Sequence, residues 1–165
     1  MRYSIVYSTR TGNTRLLADT VRNALSQDEC IYCGEPDARA LEADRIYVGF
    51  WTDRGSCNQE TAAFLKTLDK QQVFLFGSAG FGASAEYFQA VLERTQANLA
   101  ENVKVIGTFM CQGKMPITVR ERYMDMKKNA VPVPNLDRMI ENFDTALNHP
   151  NDDDLARLTA AAQFC

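Results

Sequence analysis

The chain has 165 residues, 45% apolar and 24% charged, with a formal net charge of −3. That size supports one domain with a buried core, and the mildly acidic balance speaks against nucleic acid as a partner. No apolar run approaches the roughly 20 residues of a membrane helix, and Met1 to Tyr7 lacks a secretory-leader pattern, so no membrane insertion is expected. Five cysteines, Cys30, Cys33, Cys57, Cys111 and Cys165, make an odd number. That favours reduced thiols in a cytoplasmic protein.

Residues 2–8 read as a buried first strand, and residues 13–25 as a helix with Leu17, Val21, Ala24 and Leu25 on one face. Between them runs Tyr7-Ser8-Thr9-Arg10-Thr11-Gly12-Asn13-Thr14. Hydroxyls, an amide and the open amides of a helix start suit a phosphate held without a lysine, and Gly12 lets the backbone come close to a ligand. No lysine follows the glycine, so the nucleotide-triphosphate loop is absent, as is Gly-x-Gly-x-x-Gly. A single monoester phosphate fits better. The plainer reading is a polar turn ahead of a capped helix.

Residues 29–33 read as a second strand. Cys30 and Cys33 stand three apart in it, which points them to opposite faces and speaks against a redox or metal pair. Asp37 suits the start of a short turn of helix. Residues 45–50 form a third strand, followed by a loop from Trp51 to Cys57 and a helix from Asn58, a good N-cap, to Leu68. Residues 72–77 are a fourth strand, opening into the small-residue loop Ser78 to Ser84. The next helix buries Phe88, Val91, Leu92, Thr95 and Leu99. Residues 103–110 are a fifth strand, followed by the loop Cys111 to Pro116, whose Gln112 or Lys114 can meet a ligand or a partner. Residues 117–129 read as a charged helix and Val131 to Pro134 as extended. The helix 136–148 carries Leu136, Met139, Ile140, Phe143 and Leu147 on its apolar face. Asn151 caps a last helix, Leu155 to Ala162. His149, the only histidine, reads as a surface loop residue.

Apolar strands alternating with helices predict an α/β fold, a doubly wound parallel sheet of five strands in the order 2-1-3-4-5. Ligands then bind beyond the carboxyl ends of the strands, where the loops after strands 1, 3, 4 and 5 meet.

Thr9-Arg10-Thr11-Gly12-Asn13-Thr14 resembles the [ST]-x-T-G-N-T phosphate loop of flavodoxins, at the same first strand-to-helix turn. The resemblance implies a flavodoxin-like domain over residues 1–165, with 117–165 as an additional helical segment, and one flavin mononucleotide (FMN) bound without covalent attachment. It implies phosphate contacts from Thr9, Arg10, Thr11, Gly12, Asn13 and Thr14, and Trp51 against one face of the ring with Thr52, Asp53 and Gly55 beside it. It implies pyrimidine contacts from Ser78, Ala79, Gly80, Phe81 and Gly82. The family's second aromatic has no good match: Ala83 and Ala85 stand nearest its place, Tyr87 falls within the helix, and Phe81 is the best candidate. A more open outer flavin face is expected. Asp53 would disfavour a reduced flavin anion, with Arg54 opposing it, and a peptide turn within residues 52–55 would favour the half-reduced flavin.

No paired carboxylates, metal spacing or nucleophile with a base stands out, which favours an electron carrier serving a partner reductase. Flavodoxin-like companions of bilin reductases are one such case. The alternatives are a flavin-dependent reductase or oxidase acting directly on a quinone or tetrapyrrole, and a flavin-free interaction module.

Overall fold

A computed structural model describes residues 1–82 and 84–165. Its strands are β1 (Tyr3–Tyr7), β2 (Cys30–Gly34), β3 (Arg45–Asp53), β4 (Ser56–Cys57), β5 (Gln72–Ala79) and β6 (Lys104–Gln112). Five are parallel in the order β2-β1-β3-β5-β6, and β4 folds back antiparallel on β3. This is the expected order, with β4 added as a two-residue hairpin arm. The helices are α1 (Asn13–Ala24), α2 (Gln59–Leu65), α3 (Ala85–Gln96), α4 (Ile117–Lys128), α5 (Leu136–Ala146) and α6 (Asp152–Gln163).

The apolar strands are buried on both sides. Leu17, Ala18 and Val21 of α1 and Leu158 and Ala162 of α6 cover Ile5, Tyr47 and Phe74. Phe64 and Leu65 of α2 and Val91 and Leu92 of α3 cover Val48, Phe50 and Leu75. Each fully buried Leu or Phe contributes roughly 1.5–3 kcal/mol. Two glycines set the fit at the centre. Gly49 stands opposite Phe76 and Phe50 opposite Gly77. A Cβ on Gly49 would overlap the Phe76 ring, and one on Gly77 would lie 2.5 Å from Phe50. Each ring fills the space its partner glycine leaves, on opposite faces of the sheet.

The segment after β6 divides. Helices α4 and α5 pack on each other, while α6 returns to the sheet beside α1. Asn151 and Asp154 form a reciprocal capping box at the start of α6.

Several local expectations are corrected. Strands β3, β5 and β6 run two or three residues past their expected ends, because the parallel ladder continues through Trp51–Ser78 and Ala79–Gln112. A shift of register opposite Ile31 makes a bulge in β2. Cys30 and Cys33 therefore pack toward the same apolar cluster rather than opposite faces. Both are free thiols; burial, then the neighbouring Cys30, raises the Cys33 pKa. Asn58 sits at the N-cap of α2, but its side chain accepts from the Thr61 hydroxyl rather than from a backbone amide. Leu147 lies past the end of α5 and is 48% exposed.

Candidate functional site: an aromatic cavity at the carboxyl edge of the sheet

The loops after β1, β3, β5 and β6 surround a cavity of about 310 Å³, within the range of small-molecule sites. Of the expected residues, Arg10, Thr11, Asn13, Trp51, Thr52, Asp53, Gly55, Ser78, Gly80 and Phe81 line it. Arg54, Tyr87, Gly113, Lys114, Met115, Pro116 and Val119 line it as well. Tyr87 and Val119 sit in the opening turns of α3 and α4, where helical periodicity reads as packing. Thr9, Gly12, Thr14, Ala79 and Gly82 do not line it, and Ala83 lies outside the described residues.

The first loop leaves hydrogen-bond donors open at the start of α1. Gly12 holds φ 88° at the N-cap, and its N–H donates to Thr9 Oγ1 at 3.1 Å. No heavy atom lies within 4 Å of a Cβ built on Gly12, so its backbone angle, not space, calls for glycine here. No side chain caps the helix, leaving its first-turn amides without an intrahelical partner. The buried Thr14 hydroxyl and Asn13 Oδ1 find no partner among the described residues.

Two expected phosphate donors are engaged elsewhere. Thr11 Oγ1 and Asn13 Nδ2 donate to the Lys114 carbonyl at 3.2 and 2.9 Å, tying the first loop to the one after β6. Gly113 makes room for this: a Cβ there would lie 2.5 Å from Asn13 Nδ2.

Trp51 is the last residue of β3 to pair with β5, opposite Ser78. The Arg10 guanidinium lies 5.5 Å from the indole centroid. Thr52 Oγ1 donates to the Ser78 carbonyl at 2.8 Å. Arg54 and Gly55, with φ 51° and 81°, form a two-residue turn closing the Asp53–Ser56 pair.

A family model for the flavodoxin domain matches residues 4–163. The chain belongs to the flavodoxin family. It is 39% identical to the flavodoxin-like domain-containing protein BilS of Clostridium symbiosum, over 94% of this chain and 91% of that one. It resembles in fold a Streptococcus pneumonia flavodoxin, with TM-score 0.61 and 18% identity over 99% and 96% of the two chains. A short-chain flavodoxin associated with a bacterial microcompartment gives TM-score 0.63 at 18% identity, over 99% and 95%. No helix is long and apolar enough to cross a membrane among the described residues.

Within this flavodoxin, three further features bear on the site. The Gly55 carbonyl accepts from Arg94 at 3.1 Å. Arg10, Arg54 and Lys114 line the cavity with the single carboxylate Asp53. His149 is a bonded residue. Its Nδ1 lies 2.7 Å from Asp154 Oδ2, and its carbonyl accepts from the Lys114 N–H at 3.0 Å. Burial works to raise the Asp154 pKa. Hydrogen bonds from the Asn151 N–H, His149 and Arg157 outweigh it and hold the carboxyl below its ordinary value. Nearby Cys111 is pushed up to about 12 by burial and by Asp154, which keeps it a thiol.

Proposed function

We propose that the protein is an FMN-binding electron carrier that delivers electrons to a partner reductase. The uncapped start of α1, with the unpartnered Thr14 hydroxyl buried beside it, carries this reading. Amides and a hydroxyl there would hold the phosphate, with Thr9 steadying the turn. Asn13 Oδ1 needs a donor, and a ribityl hydroxyl has one. Trp51, Thr52, Ser78, Gly80 and Phe81 would border the ring, with Tyr87 and Met115 completing the apolar wall.

When bound, the flavin supplies one-electron steps, and the protein sets their ease by the charges and hydrogen bonds around it. Cations at the wall favour the reduced, anionic form. A bilin reductase is our candidate partner, and the relatives that carry the name BilS are where to seek a matching one.

The test is a titration. The chain's only tryptophan lines the cavity, so its fluorescence should fall as FMN binds. Riboflavin, lacking the phosphate, should bind about a hundredfold more weakly or worse. Equal affinities would place the phosphate outside this loop. Steady quinone turnover with a nicotinamide donor and no second protein would count against the carrier role.

A further inference from the structure

The cavity's charge runs against that of the whole chain. The protein carries −3, yet Arg10, Arg54 and Lys114 are exposed around the mouth. None of the three forms a salt bridge among the described residues. Residues 114–128 hold five basic side chains against two acidic ones, with Arg120 and Lys127 paired to Asp144 and Asp137 of α5 and Arg122 and Lys128 in no salt bridge among the described residues. Arg122 lies one turn beyond Val119, which lines the cavity, so it shares that side of α4.

Exposed apolar side chains accompany these cations. Phe81 on the cavity wall is 42% exposed, and Ile117, next to the wall residue Pro116, is 57% exposed. An apolar centre with a charged rim is the anatomy of a protein interface. Of the rim cations, Arg10 stands over the Trp51 ring, while Arg54 and Lys114 have no side-chain ion pair among the described residues. Their remaining electrostatic role is to act on what approaches the mouth, over about one Debye length.

We propose that this face docks a redox protein whose own electron-exchanging site is ringed by aspartate and glutamate. The proposal rests on the carrier reading and adds the sign of the partner's charge. Opposite charges around the two sites steer the encounter and bring the flavin edge to the partner's centre. The overall charge of −3 by itself attracts lysine-ringed proteins, so the selection rests on the local cations at the mouth. One electron leaves the reduced flavin and enters the partner's oxidised centre, so the transfer balances without another reactant.

The experiment uses the FMN-loaded protein, so the cofactor's own negative charge is included in what is measured. Reduced holoprotein is mixed without oxygen with cytochrome b5, whose haem edge is ringed by carboxylates, or with cytochrome c, ringed by lysines. The slope against ionic strength is read, since it does not depend on the two driving forces. The rate with the carboxylate-ringed protein should fall by about fivefold or more as salt rises, and that with the lysine-ringed protein should fall less. The double variant Arg54→Glu with Lys114→Glu, compared at equal flavin occupancy, should abolish or reverse the first slope. Rates that fall with salt only for the lysine-ringed protein, or slopes unchanged in the variant, would overturn the assignment alone. A protein that takes up no FMN would overturn the carrier reading and this one with it.

Discussion

The side-chain amide of Asn142, on α5, donates to the Gly80 carbonyl at 2.9 Å. Gln112 Nε2 donates to the same carbonyl at 3.2 Å and to Asn142 Oδ1 at 3.1 Å. The α4–α5 pair is thus bonded to the backbone of the cavity wall. Met115 lies against the other side of that glycine, where a Cβ would overlap it. Asn142→Ala should leave the Gly80 carbonyl with one donor and cost about 1–2 kcal/mol locally. Faster amide exchange at residues 80–82 and a several-fold loss of FMN affinity are the expected readouts.

Gly113→Ala addresses the tie between the first and fourth loops. The new methyl would meet Asn13 Nδ2 at 2.5 Å and the Ser78 Cβ at 3.0 Å. Asn13 must then leave the Lys114 carbonyl, unseating the start of α1. FMN affinity should fall about tenfold or more, equivalent to ~1.4 kcal/mol. A titration that matches the unsubstituted protein would mean the tie does not shape the site.

Thr14→Val separates the needs of the fold from those of the ligand. The Thr14 hydroxyl is buried with no partner among the described residues, a condition that costs roughly 1–3 kcal/mol. Replacing it with a methyl of similar shape should leave the flavin-free protein equally stable or more so in urea. The same change should weaken FMN binding by about 1.5–3 kcal/mol, the value of a hydrogen bond to a charged group. Thr11→Ala should instead act through the lost bond to the Lys114 carbonyl, lowering flavin-free stability slightly.

Asp154 gives a pH dependence of definite sign. Its carboxyl is lowered in the folded protein, below the unfolded value of about 3.9. Its stabilisation is therefore complete above the unfolded pKa and is lost as pH falls through the folded one. Asp154→Asn should lower stability at pH 7, and the gap to the unsubstituted protein should narrow at a pH below the ordinary carboxylate value. Urea melts at the two pH values measure this.

The core and the first loop were legible because their signals are local. Continuous apolar strands, helical spacing and the run Thr9 to Thr14 each state their structure within a few residues. The cavity's other walls were not. Tyr87 and Val119 belong to helices by periodicity, and only the chain's path turns them toward the mouth. The facing of Cys30 and Cys33 was misread because one bulge reverses a strand's alternation, and nothing in Cys30 to Gly34 marks it.

By itself, the sequence determined the parallel sheet, its strand order and the hydroxyl-rich turn that opens α1, since periodicity and a short motif act between near neighbours. Tertiary structure alone decided which donors remain free. Thr11 and Asn13 are taken by a carbonyl more than a hundred residues away, while Thr14 is left unpartnered. It also decided the sign of charge at the mouth, by bringing Arg10, Arg54 and Lys114 together from three separate loops. Hydrogen bonds and Coulomb forces act through space, so partners that far apart along the chain are fixed only once the strands have aligned.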